Sequence, residues 1–168
     1  MFNDSNHHHM LVTAGYASLA AVFGLGLTVN IIRYRRKLKV SLGDGTHEQI
    51  VELLQRYTDK GPEILEKFEF STPYGSKYFK LTQAVRAYGN FIETAPWAFL
   101  LIGLAEYNGL DAVYVHTLLA LVLGMRVMHA FSLVGYKYAF GLGRAVSTFS
   151  TMGLLFGVSC WNILKIWF

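Results

Sequence analysis

Of the chain's 168 residues, 53% are hydrophobic and 15% aromatic, and the mean hydropathy of +0.33 argues against an ordinary soluble domain. One cysteine, Cys160, excludes an internal disulfide framework and a cysteine-rich metal site. The net charge of +4 comes in clusters instead of covering a basic face, which excludes a soluble nucleic-acid-binding module.

The chain opens with MFNDSNHHH, which reads as a polar tail and not as a metal site. Residues 10–32 follow without a charged side chain, about 23 residues and enough for a first transmembrane span. The positive charges come after this run, so it is a retained span and not a cleaved signal peptide. Arg33, Arg35, Arg36, Lys37 and Lys39 then read as headgroup anchors, with Arg33 close enough to the hydrocarbon to turn inward. Residues 41–80 form a polar insertion. SLGDG is a turn, HEQIVELLQRY has apolar residues at helical spacing, and Gly61-Pro62 ends that helix before a short second one in EILEKFEF. The expectation is a cytoplasmic helical hairpin on the bundle or the membrane surface, with Glu48, Glu52, Asp59, Glu63, Glu66 and Glu69 as its solvated face.

A second span at 81–106 carries Arg86, Asn90 and Glu93 in its first half and Pro96 one turn later, where the missing N–H predicts a kink. Asn108-Gly109 is a turn and Asp111 an N-cap for the third span at 112–133, which is apolar apart from His116, Arg126 and His129. The fourth span, 144–164, starts with Arg144 and Ser147. The segment from Arg33 to Lys80 holds ten Lys/Arg, while the N-terminal tail and the 106–111 turn hold none. The fold class is therefore an all-α integral membrane protein: a single domain, an up-down four-helix transmembrane bundle with both termini lumenal or exoplasmic. The membrane would be of the endoplasmic-reticulum type in a eukaryote and the inner membrane in a bacterium.

Arg86, Asn90 and Glu93 lie at i, i+4 and i+7, one stripe of a helix. Counting rise per residue puts them in the cytoplasmic half with Arg126 and His129 late in the third span, Arg144 and Ser147 early in the fourth, and Arg33 closing the first. Charged groups at that depth face protein, water or a ligand. A Glu93–Arg126 pair locking two helices is one reading. The other starts from four arginines facing one carboxylate, an excess that suits an anionic ligand, with Glu93 left to hold an ammonium.

The motifs RAYGNFIETAP (86–96) and GMRVMHAFSL (124–133) resemble the MAPEG family, membrane-associated proteins in eicosanoid and glutathione metabolism. The resemblance covers all four spans but not the insertion at 46–80, where family members typically have a short loop. It implies a homotrimer that binds glutathione as cosubstrate, without a metal, at the cytoplasmic side between subunits. The lipophilic substrate would enter from the bilayer, either an electrophile to be conjugated or a lipid hydroperoxide to be reduced. By motif match, Arg33, Arg86, Asn90, Glu93 and His129 would bind the tripeptide, Arg126 would be structural, and Arg144 would stabilise the glutathione thiolate. Ser147 sits at the same level. The sequence departs from the pattern at Leu133, where many catalytic members carry a tyrosine that Tyr136 or Tyr138 would have to replace, and at Gly89, where several have a second arginine. The family also includes non-catalytic lipid-presenting members, which is the alternative reading. A transport subunit ranks last, since no span is broken in its middle by paired Gly/Pro.

Overall fold

The computed structural model describes residues 10–60, 75–136 and 141–167. These contain five helices: α1 (Leu11–Leu38), α2 (Thr46–Lys60), α3 (Phe79–Tyr107), α4 (Ala112–Gly135) and α5 (Leu142–Trp167). The second helix expected in EILEKFEF, and Tyr138, lie outside the described residues.

The first helix does not end with its apolar run at Ile32 but continues through the basic cluster to Leu38. Arg, Lys and Leu are good helix formers, and cations in a last turn complement the helix dipole. It stops at Lys39, whose φ of 58° is left-handed, and the Val40 N–H returns to the Arg35 carbonyl at 3.0 Å. α3 runs unbroken through Pro96. Asp111 caps α4 as expected, its carboxylate accepting from the Val113 N–H at 2.9 Å.

α3 is the central helix and packs against α1, α4 and α5. Its inward face is built largely of small residues, Ala84, Ala87, Ala95, Ala98, Gly103 and Ala105, which let the neighbouring backbones approach. Gly24 of α1 shows how close: a Cβ there would meet the Phe91 ring at 3.0 Å. Three of the described helices, α1, α4 and α5, are long and apolar enough to cross a membrane. α3 matches them at 29 residues but carries Lys80, Arg86, Glu93 and Glu106. Lys80 and Glu106 stand near its two ends, with Arg86 and Glu93 between them.

Contacts at both ends set the direction of α1 against α3. Ile31 and Val40 pack on Leu81 and Ala84 at one end. At the other end the Glu106 carboxylate accepts from the Val12 and Thr13 N–H groups at 3.1 and 3.0 Å. The two helices are antiparallel, and Glu106 does for α1 what a local N-cap ordinarily does, with its charge at the positive end of the dipole. Glu106→Ala is expected to lower stability by about 1–2 kcal/mol, and Glu106→Gln by less, because an amide oxygen still accepts. Thermal unfolding in detergent measures both; equal midpoints for wild type and the alanine variant would remove the cap from the account. The far end of α4 is held in the same manner, since Gln83 Nε2 donates to the Leu133 and Tyr136 carbonyls and Lys80 Nζ to that of Val134.

α2 is attached to the bundle by its polar side. Gln49 Nε2 donates to Thr82 Oγ1, and Ser76 Oγ donates to Glu52, which also pairs with Arg56. Glu52 is thus a tether and not part of a purely solvated acidic face.

Candidate functional site

The interior of the bundle holds one cationic strut. Arg126 of α4 is 3% exposed, and its guanidinium spans two helices. Nη1 donates to Thr94 Oγ1 of α3 at 2.8 Å; Nη2 donates to Ser147 O, Ser147 Oγ and Thr151 Oγ1 of α5 at 2.9, 3.0 and 2.6 Å. Each hydroxyl passes its own proton to a backbone carbonyl: Thr94 to Asn90, Ser147 to Met125, and Thr151 to Ser147. The oxygens are therefore acceptors toward Arg126; the two N–H groups of Nη2 are shared among three oxygens, and Nε makes no hydrogen bond among the described residues. Arg126 does not pair with Glu93: among the described residues the ion pair is Arg56–Glu52. These bonds also set depth, since Thr94, Arg126 and Ser147 must occupy one level of the bundle.

His129 follows Arg126 on α4 and is 4% exposed. Neither of its ring nitrogens makes a hydrogen bond of good geometry among the described residues.

The remaining candidates lie on the outside of the single chain. On α3, Arg86 and Glu93 are exposed and Asn90 is half-buried, with the Asn90 amide donating to the Arg86 carbonyl at 2.9 Å. This stripe is turned away from the face that carries Ala84, Ala87, Phe91 and Ala95 into the bundle. Arg33 of α1 and Arg144 of α5 are exposed too. Tyr136 is exposed, with its ring against Gly141, where an added Cβ would meet it at 3.1 Å. The sequence-predicted set thus divides into an interior group of Arg126, His129 and Ser147 and a surface group of Arg33, Arg86, Glu93 and Arg144, with Asn90 between them. The chain by itself does not enclose the set in a single pocket.

The insertion begins next to this stripe. Thr82 Oγ1, one helical turn before Arg86, donates to the Asp44 carbonyl at 2.8 Å. The Asp44 carboxyl is held below the usual carboxylate range, first by hydrogen bonding from Thr46 and further by the Arg86 charge.

A cavity of about 300 Å³ lies at the opposite end of the bundle, lined by Leu110, Tyr114, Thr117, Leu154, Gly157 and Trp161 among others. Its apolar lining does not suit a charged ligand.

Sequence reasoning does not single out Thr94 or Thr151 as the partners of Arg126. The available signal was the i, i+4 spacing of Ser147 and Thr151, which puts their two hydroxyls on one face of the helix.

Comparison with known proteins places these features in a family context. The profile of the MAPEG family matches residues 13–164. The chain is similar to the inner membrane protein YecN of Escherichia coli strain K12, with 25% identity over 119 residues that cover 71% of this chain and 67% of YecN. YecN of Escherichia coli O6:H1 gives the same figures. No solved structure matches.

Proposed function

The chain belongs to the MAPEG family, and from that premise we propose that it is a membrane-bound glutathione-dependent transferase or peroxidase acting on lipophilic electrophiles or lipid hydroperoxides. The observation that carries the proposal is the surface group: Arg33, Arg86 and Arg144 are exposed on a membrane bundle, and Glu93 is the acid in the stripe they accompany. The Arg33 and Arg86 guanidinium groups suit carboxylates in bidentate geometry, and glutathione carries two carboxylates. Glu93 takes the γ-glutamyl ammonium. Asn90 lends an amide edge, and Arg144, with His129 behind it, stands by the thiol.

Because Arg86 and Glu93 point away from their own bundle, the reading is that a neighbouring subunit of a homotrimer completes the site. Glutathione then enters from the cytoplasmic side, and the lipophilic partner arrives through the bilayer between subunits. The chemistry asked of the protein is to favour the thiolate and hold it against the electrophile. YecN is named as an inner membrane protein, which supports an inner-membrane location for this chain.

Calorimetric titration of the purified protein with glutathione tests the binding half of the proposal. Wild type is expected to bind. Glu93→Gln is expected to bind about 10- to 100-fold more weakly, the range expected on losing a charge-assisted hydrogen bond. A protein that binds no glutathione but takes up lipid would be a lipid-presenting member of the family instead.

A further inference from the structure

An amphipathic helix on a folded protein ordinarily buries its apolar stripe and turns its polar side to solvent. α2 departs from this: polar residues make its hydrogen bonds to the bundle side, with Leu53 half-buried beside them. Gln49 and Glu52, on its polar arc, bind Thr82 and Ser76 of the bundle side. Ile50, Val51 and Leu54 lie on the other arc and are 52%, 38% and 58% exposed. Leu42, in the loop leading to α2, is 80% exposed.

The height of α2 on the bundle identifies what covers that face. α1 has 28 residues, about 42 Å at 1.5 Å per residue, against a hydrocarbon core of ~30 Å. Its last basic turns therefore reach headgroup depth. The chain does not leave the membrane from there: Val40 is buried against Leu81 and Ala84, and Thr82 binds both the Asp44 carbonyl and the Gln49 amide. The start of α2 is pinned at the first turn of α3, beside the end of α1. A helix held at that height with its apolar side open faces the boundary between headgroups and acyl chains. We infer that α2 is an interfacial helix, lying in the membrane surface with Ile50, Val51 and Leu54 turned into lipid.

The charges on α2 say which lipid property it reads. Glu48, Glu52 and Asp59 stand against Arg56 and Lys60, so the helix is slightly acidic and anionic lipid does not attract it. Its attachment is hydrophobic, and the basic turn of α1 supplies any preference for anionic headgroups. The inference needs only that the bundle span a membrane and is independent of glutathione chemistry.

The test uses the full chain in phosphatidylcholine nanodiscs, with Cys160→Ser as the background because Cys160 is the lone cysteine. An environment-sensitive fluorophore is attached at Leu54→Cys and, in a second protein, at Gln55→Cys. Both positions are exposed, so neither substitution opens the core. The Leu54 label is expected to be blue-shifted. Lipids carrying a shallow nitroxide should quench it several-fold more than the Gln55 label, and aqueous iodide should show the opposite order. Adding anionic lipid or salt should leave the Leu54 signal unchanged. Equal iodide quenching at the two positions would overturn the inference. So would a Leu54 label shielded from iodide yet untouched by nitroxide lipid, since protein, a second copy or residues 61–74, would then be the cover.

Discussion

Replacing Arg144 with alanine is expected to abolish the thiolate absorbance of bound glutathione and to reduce kcat/KM by about 10²-fold, while glutathione still binds within a few-fold of wild type. The size follows from what one preorganised electrostatic contact contributes at a reacting centre. The separation of the two effects follows from position. Arg86, Asn90 and Glu93 share one stripe of α3, whereas Arg144 comes from the first turn of α5. On the proposed function the α3 stripe holds the ends of the tripeptide, and Arg144 acts on its sulfur. A guanidinium beside a thiol favours the charged form, so the thiolate band of wild type should persist at pH values where that of Arg144→Ala has vanished. Arg144→Lys keeps the cation and should recover part of the signal. The measurement is ultraviolet difference absorbance across pH, with turnover on a lipophilic electrophile in parallel. An undiminished thiolate band in the alanine variant would remove Arg144 from the chemistry.

The largest loss of stability is expected from Arg126→Ala, about 2–4 kcal/mol. Interhelical hydrogen bonds in membrane proteins contribute roughly 0.6–1.7 kcal/mol each, and hydrogen bonds to a charged group lie at or above the top of that range. Arg126 makes four to Thr94, Ser147 and Thr151. Truncation leaves those hydroxyls their own carbonyl acceptors, so no donor is stranded and the cost comes from the lost bonds and the cavity. Desolvation of the guanidinium in the native fold partly offsets the gain from these bonds, so Arg126→Met, which fills the space without a charge, should cost less than alanine. Arg126→Lys cannot reach both α3 and α5 with one ammonium and should fall between wild type and alanine. Thermal unfolding in detergent ranks the three. An alanine variant that melts with wild type would mean that packing alone positions α5.

The number and order of long helices follow from the sequence because they depend on quantities counted along the chain: apolar run length, the Asn108-Gly109 turn, the Asp111 cap. The common level of Glu93, Arg126 and Ser147 is legible in the same way, since a helix rises by a fixed amount per residue. The end of α1 is not, because its apolar run ends at Ile32 while the backbone continues to Leu38 on helix propensity. The insertion is legible as amphipathic but not in its orientation, since periodicity marks two faces without saying which one meets the bundle.

The decisive case is the partner of Arg126. Glu93 and Thr94 are adjacent in the chain and about 100° apart around α3. Spacing along the sequence placed Arg86, Asn90 and Glu93 on one stripe, but only the packing of α1, α4 and α5 around α3 decided that this stripe faces outward. That rotation gives Arg126 a hydroxyl and leaves the carboxylate at the surface. Composition, spans and depth are one-dimensional quantities that a sequence carries by itself. The azimuth of a helix is settled by which of its faces the neighbouring helices can approach most closely, and here the alanine and glycine face won that place.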